Sequence, residues 1–153
     1  MDNNECNDEW DFKNLSLPHL QILRAKNVSI ESLTSLIEST SGFLVEIKID
    51  YIYHYEKENK RIIQAIYHKC PILKYLKLVF RNCNILELEK LLNNCQYLKV
   101  LFILICDSEF DWNNLFEILI NSSPSSYWNN NKQKKEFFFS LSFIDQSKFY
   151  RLT

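Results

Sequence analysis

The chain of 153 residues contains a single glycine, Gly42. Ordinary proteins have about 7% glycine, so this scarcity restricts the functions that the chain can have. The G-x-x-x-x-G-K phosphate loop, the G-x-G-x-x-G dinucleotide turn and the G-x-S-x-G nucleophile elbow each need several glycines where the backbone approaches a ligand. All three motifs are excluded. A fold with many tight hairpins of positive φ is also disfavoured.

A surplus of positive charge is lacking as well, because 18 lysines and arginines are matched by 19 acidic residues. This balance provides no positive surface for nucleic acid or for an anionic membrane. The longest apolar run, from Val100 to Cys106, has seven residues and is too short for a membrane span or a signal peptide. The sequence therefore predicts a cytoplasmic or nuclear protein that is not secreted and binds neither nucleic acid nor membranes.

The five cysteines form no C-x-x-C pair and are odd in number, which disfavours a disulfide framework or a zinc knuckle. The three histidines, His19, His54 and His68, are scattered and do not recur with the cysteines. A cysteine nucleophile would need such a base nearby. We therefore expect no enzymatic activity, no metal and no cofactor, and we expect Cys70 and Cys95 to be buried as small apolar residues.

A repeat is present in the spacing of the apolar residues. The pattern Cys70-x-x-Leu73-x-x-Leu76-x-Leu78 recurs in register 25 residues later, from Cys95 to Ile103. The segments that start at Leu17 and Phe43 fit all or most of the same pattern. From Leu23, the steps to Ile47, Leu76 and Leu101 are 24, 29 and 25 residues, and the long step contains a polar insert, Tyr53 to Lys60.

Two further regularities support this repeat. The three prolines, Pro18, Pro71 and Pro124, are each 53 residues apart and lie one position after the cysteine position of the repeat. The segment from Cys6 to Leu15 also resembles the segment from Cys106 to Leu115, at an offset of 100 residues. An internal repeat of this length indicates a protein built from stacked units.

Each repeat combines a short strand pattern with a helix pattern of ten to twelve residues. The first helix is predicted over Ile30 to Thr40 with Ser29 as N-cap, and the last begins after the cap Asp111. Neither element can bury its apolar face alone. The units are therefore expected to stack into an α/β right-handed solenoid, with parallel strands inside and helices outside.

The unit C-x-x-L-x-x-L-x-L, followed by a loop cysteine and a helix, resembles the cysteine-containing class of leucine-rich repeat. The resemblance covers about residues 6 to 124, and Cys95 to Cys106 fits it fully. It implies an RNI-like horseshoe, with strands on the concave face and helices on the convex face. Such repeats are typical of F-box proteins, which implies substrate recognition for a ubiquitin ligase, and the Asn-, Ile- and Lys-rich style is similar to a fungal expansion of F-box-like repeat proteins.

The two ends depart from that family pattern. Residues 1–16 read as a partial repeat without its strand, and we expect no F-box within this chain ahead of the four repeats of residues 17–124. Residues 125–153 read as a polar loop followed by a possible final strand at 137–143, later than the repeat spacing requires. Terminal units of a solenoid normally carry a polar cap. We therefore expect marginal stability or self-association through the uncapped ends.

The concave face of the solenoid is the predicted site for a protein partner, because alternate strand residues face it. The site comprises the central positions Arg24, Lys48, Lys77 and Phe102, with Glu46, Asp50, Tyr75, Val100 and Leu104 beside them. The three cations form a row whose repulsion Glu46 and Asp50 offset in part. The row continues into an apolar patch, which is typical of partner-binding surfaces.

Two interpretations of this face remain open. In the first, the row binds an acidic partner, and the chain is the substrate-recognition part of an F-box-like receptor. In the second, the row is a solvated sheet face whose apolar end is covered by residues 137–143. Two alternatives to the receptor also remain open for the chain as a whole: a truncated or degenerate repeat copy without a dedicated partner, and a repeat scaffold unrelated to ubiquitination.

Overall fold

The computed structural model describes residues 14–50 and 53–122, together with the backbone of a strand at 138–143. Most of the partial repeat predicted at residues 1–16, most of the segment from Cys6 to Leu15 that resembles Cys106 to Leu115, and the polar loop predicted at residues 125–136 lie outside the described residues. Within the described part the chain is an α/β protein with a parallel sheet and four α-helices, which confirms the predicted fold class at that level.

The sheet has five parallel strands that lie side by side in chain order. They are β1 (Ile22–Ala25), β2 (Glu46–Ile49), β3 (Tyr75–Phe80), β4 (Val100–Ile105) and β5 (Phe138–Phe143). The register pairs Leu23 with Ile47, Ile47 with Leu76 and Leu76 with Leu101. These are the residues that the repeat spacing aligns, so the sequence predicted the register of the first four strands.

The helices alternate with the strands and each packs against the next. They are α1 (Ile30–Glu38), α2 (Glu56–Lys69), α3 (Ile85–Asn94) and α4 (Trp112–Asn121), and a 3-10 turn (Asn82–Asn84) precedes α3. Both predicted N-caps are confirmed, because the side chain of Ser29 accepts from the Ser32 amide and that of Asp111 accepts from the Asn114 amide. Helix α1 ends two residues before the predicted Thr40.

Part of the predicted polar insert, Tyr53 to Lys60, belongs to helix α2. Its residues from Glu56 to Lys60 form the first turn and a half of α2, whereas the apolar spacing identified a helix only from Ile62 onward. Most of these residues face solvent, and Asn59 alone is fully buried. A polar composition is expected for an exposed helix start, so the apolar pattern could not reveal it.

The main core forms where one face of the sheet meets the helices. The inward residues Leu23, Ile47, Leu76 and Leu101 join residues from all four helices in one buried cluster. Leu44, Leu73 and Leu98, which lie three residues ahead of the inward strand residues, are fully buried in the same cluster. The apolar positions of the repeat therefore account for the core, and the alternate strand residues are left on the other face.

The helix ends explain why the later units need no glycine. Cys70 and Cys95, which follow α2 and α3, have φ angles of −121° and −92°. A helix that ends in the left-handed conformation favours glycine, but neither of these helices does. Gly42 has a φ of +87° and lies four residues beyond the end of α1, in the turn that leads to β2.

Candidate functional site: the outer face of the sheet

The face of the sheet opposite the main core, here called the outer face, carries the residues that the repeat spacing assigned to a partner. The strand register places Arg24 beside Lys48, Lys48 beside Lys77, and Lys77 beside Phe102. A second row contains Ile22, Glu46, Tyr75 and Val100, each paired with its neighbour. The structure therefore brings the predicted residues together on one surface.

Two of the three cations in the central row are already in ion pairs. Arg24 Nε donates to Glu46 Oε1 at 2.7 Å, and Lys77 Nζ donates to Asp50 Oδ1 at 2.7 Å. The hydrogen bond from Lys77 lowers the pKa of Asp50, and the charges of Lys48 and Lys26 lower it further. Arg24 pairs with a residue of the neighbouring strand, and Lys77 pairs with the residue directly after the neighbouring strand. The two carboxylates therefore neutralise much of the positive charge of the predicted acid-binding row.

Lys48 is the exception in this row. It lies between the two ion pairs and is half-buried, and within the described part of the chain it makes no hydrogen bond or ion pair through its side chain. Its ammonium group influences Asp50 only through its charge. Lys48 is therefore the cation of the central row that retains its hydrogen-bonding capacity for a partner.

The apolar end of the outer face is smaller than predicted. Tyr75, Val100 and Phe102 are half-buried, but Leu104 is only 5% exposed. Leu104 packs with Val79 and Cys106 in a second buried cluster, against which Phe102 also lies. The assignment of Leu104 to an exposed patch was therefore wrong, since Leu104 packs among buried apolar neighbours that include Val79 at the paired position of β3.

The ammonium of Lys77 links the charged and apolar parts of the outer face. Its Nζ lies 5.5 Å from the centre of the Phe102 ring, within the range of a cation–π contact. Strand β5, which covers most of the predicted strand at 137–143, pairs with β4 in parallel and pairs Val100 with Phe138. Its backbone therefore extends the sheet at this end instead of crossing the outer face.

A buried polar network at the carboxyl ends of the strands was missed by the sequence analysis. The fully buried amide of Asn59 donates from Nδ2 to Val79 O at 2.7 Å, and its Oδ1 accepts from the Arg81 amide and from Asn84 Nδ2. Asn59 and Asn84 are 25 residues apart, whereas the step between their two units is 29 residues, so the repeat does not align them. The repeat spacing therefore gave no signal for this network.

Arg81 connects this network to the segment before α2 and to the loop after β4. Its guanidinium donates to the carbonyl of His54 at 2.8 Å and pairs with Asp107 at 3.2 Å. Above it lies a groove of about 620 Å³, lined by Tyr53, Tyr55, Glu56, Lys57, Glu58 and Arg81. Tyr53 and Tyr55 are largely exposed and meet edge to face, with ring centres 5.6 Å apart.

The buried cysteines are unsuited to nucleophilic chemistry. Burial raises the pKa of Cys70 and of Cys95 to about 12, so both thiols are protonated at neutral pH. The Cys95 thiol lies 3.6 Å from the Cys70 carbonyl, to which it donates. Across the described residues, no three His, Cys, Asp or Glu side chains are grouped so that they could hold a metal ion.

Two global observations complete the description. Within residues 14–50 and 53–122, no helix has both the length and the apolar character needed to cross a membrane. Comparisons with known protein families, with curated proteins and with solved structures find no match to this chain.

Proposed function

We propose that the chain is a non-enzymatic protein-interaction module, built as a leucine-rich-repeat solenoid with its strands on a concave face and its helices on a convex face. The strand order and the register support this architecture, since parallel strands in chain order, joined through helices, are what stacked strand–helix units produce. We further propose that the module acts inside the cell, in the cytoplasm or the nucleus.

The partner would bind on the outer face of the sheet, which is the concave face of the proposed solenoid. Lys48 carries this proposal, because it is a half-buried cation that forms no ion pair with any described residue. It is flanked by two ion pairs that link neighbouring strands. Tyr75 on the neighbouring strand, and Val100 and Phe102 one strand further on, offer apolar area on the same face. A protein segment that presents a carboxylate beside an apolar side chain fits this combination.

The resemblance to F-box-like repeat proteins suggests the biological setting. In that setting the solenoid would be the substrate-recognition part of a ubiquitin ligase receptor, and the partner would be the protein to be modified. A repeat scaffold unrelated to ubiquitination would use the same face. A degenerate repeat copy would have no dedicated partner, and the experiment below separates it from the other two.

The test compares proteins captured from a native lysate by the wild-type chain, by Lys48→Glu and by the control Lys69→Glu. Lys69 is exposed at the end of α2, away from the outer face of the sheet. We expect a reproducible set of proteins to bind the wild type and the control and to be lost with Lys48→Glu. Capture that is equal for all three chains would refute the assignment of the site to Lys48, and no capture by the wild type would favour the degenerate copy.

A second readout concerns the ubiquitin ligase. Recovery of a cullin–RING adaptor subunit together with the captured proteins would support the receptor role. A captured set without ligase subunits would favour the unrelated scaffold, with the same outer face as its binding surface.

A further inference from the structure

The orientation of the Asn59 amide fixes the protonation state of His54. Asn59 Nδ2 donates to Val79 O at 2.7 Å and lies 3.0 Å from His54 Nε2, while Oδ1 accepts from the Arg81 amide and from Asn84 Nδ2. Rotating the amide by half a turn would place its oxygen against a carbonyl and its nitrogen against two donors. The amide is therefore held in one orientation, and His54 Nε2 must accept.

An imidazole nitrogen that accepts a hydrogen bond carries no proton, so His54 is neutral in this structure, with its proton on Nδ1. The side chain is only 4% exposed. Protonation at Nε2 would set two donors against each other at 3.0 Å and would place a positive charge in a buried position. The bond to Asn59 can therefore exist only while the imidazole is neutral.

Charged side chains from three elements surround the segment that carries His54. Arg81, at the end of β3, already donates twice to the His54 carbonyl. Asp107, after β4, is engaged by the Arg81 guanidinium and by the Asn82 amide. At the start of α2, Glu58 accepts from the Tyr55 amide, and Glu56 and Lys57 line the groove. The carboxylates of Asp107 and Glu58 thus each accept hydrogen bonds within this network.

We propose that His54, Asn59 and Arg81 form a pH-sensitive latch that fastens the segment before α2 to the carboxyl end of β3. At neutral pH the latch is closed, and it holds Tyr53 and Tyr55 along the groove. Mild acid protonates His54, breaks its bond to Asn59 and releases the segment, which changes the shape of the groove. The proposal does not depend on the interaction role of the outer face.

The direction of the pH effect follows from proton linkage. An unperturbed imidazole takes up a proton near about pH 6.5, so the released or unfolded segment binds one more proton than the closed latch does in acid. The equilibrium between the open and the closed latch then shifts toward the open state by up to about tenfold for each pH unit below that value.

The test measures amide hydrogen exchange of the full chain between about pH 8 and about pH 5, corrected for the intrinsic pH dependence of exchange. The reporters are the amides of Arg81 and Tyr55, whose hydrogen bonds hold the latch region. In the wild type, we expect their protection to fall as the pH is lowered. In His54→Gln, whose side-chain oxygen can accept from Asn59 without titrating, the protection should stay constant.

His68→Gln is the matched control, because His68 is an exposed histidine on α2. This variant should respond to acid like the wild type, and an acid response in His54→Gln equal to that of the wild type would overturn the proposal. Should His54→Gln fail to fold, imidazole nitrogen NMR of the wild type decides. An unprotonated Nε2 that titrates together with the loss of Arg81 protection supports the latch, and a protonated Nε2 at neutral pH overturns it.

Discussion

Gly42 is held in a backbone conformation that other residues avoid. Its φ of +87° lies in the left-handed region, and a Cβ at this position would meet Lys69 O at 3.5 Å and Pro71 Cδ at 3.7 Å. These distances are ordinary contacts, so the cost of a side chain comes from the backbone and not from a clash. We predict that Gly42→Ala lowers the free energy of unfolding by about 1 kcal/mol.

Chemical denaturation of Gly42→Ala and of a neighbouring control, Ser41→Ala, measures this cost. Ser41 is exposed and has no positive φ, so its substitution should change stability by less than about 0.5 kcal/mol. Equal stability of the two variants would show that the turn before β2 can adjust its backbone.

The ion pair between Lys77 and Asp50 makes stability depend on pH in the acid range. Because the Lys77 hydrogen bond lowers the pKa of Asp50 in the folded chain, the pair stabilises above the unfolded pKa of about 3.9. That stabilisation is lost as the pH falls through the lowered folded value. Asp50 is 41% exposed, so we predict that Asp50→Asn costs less than about 1 kcal/mol at neutral pH.

Thermal unfolding at neutral pH and again below about pH 4 tests the sign. The difference between wild type and Asp50→Asn should shrink in acid, whereas Glu117→Gln, an exposed carboxylate on α4, should differ little from the wild type at both pH values. A difference that stays constant as the pH falls would contradict the assignment of the effect to the Asp50 carboxylate.

At the scale of elements, the start of α2 depends on one hydrogen bond between a backbone amide and a side chain. Glu58 Oε2 accepts from the Tyr55 amide at 2.7 Å, which satisfies one backbone donor at the helix N-terminus and places a negative charge near the positive end of the helix dipole. We predict that Glu58→Ala destabilises the chain by about 0.5–1 kcal/mol. Denaturation midpoints measure the loss, and Glu89→Ala, an exposed position on α3, should leave the midpoint nearly unchanged.

The strands and their register were predictable because the inward apolar residues must occupy the same positions in every repeat unit to be buried together. A shift of one residue would have turned Leu76 or Leu101 toward the outer face. The start of α2 was not predictable by that means, since an exposed helix turn carries no apolar pattern. In the sequence, Asn59 is one of several polar residues in the predicted insert. Its buried role was not visible there because its hydrogen-bond partners lie on β3 and in the turn after β3.

The rows of residues on the outer face were predicted correctly, but their ion pairs and the burial of Leu104 were not. Period-two alternation placed Arg24, Lys48 and Lys77 in one row, and the structure has that row. Which cations are paired depends on side-chain rotamers, which the sequence does not specify. Leu104 is buried among neighbours that include Val79 at the paired position of β3. The predicted apolar patch was too large because strand alternation alone does not show how side chains of neighbouring strands pack.

At the scale of the whole molecule, β1 is a strand with a partner on one side only among the described strands. Ile22 on this strand is 50% exposed. An exposed edge strand with an apolar side chain favours pairing with a second chain. We therefore predict concentration-dependent self-association of the isolated chain, and we expect Ile22→Lys to reduce it.

Sedimentation velocity at increasing protein concentration tests the role of this edge. The matched control is Leu86→Lys on α3. Leu86 is an apolar residue that is 61% exposed, which is more than the 50% exposure of Ile22. This control should associate like the wild type. A wild-type chain that stays monomeric over the whole concentration range would contradict the prediction, as would equal association of both variants.

The negative φ angles at the ends of α2 and α3 also affect the chain before it folds. Glycine has the largest conformational freedom in an unfolded chain and loses the most on folding. Because Cys70 and Cys95 close their helices without a left-handed residue, these unit boundaries can use residues of lower unfolded-state entropy that also fill the core. Each boundary thereby reduces the conformational entropy lost on folding by about 0.4–1 kcal/mol relative to glycine.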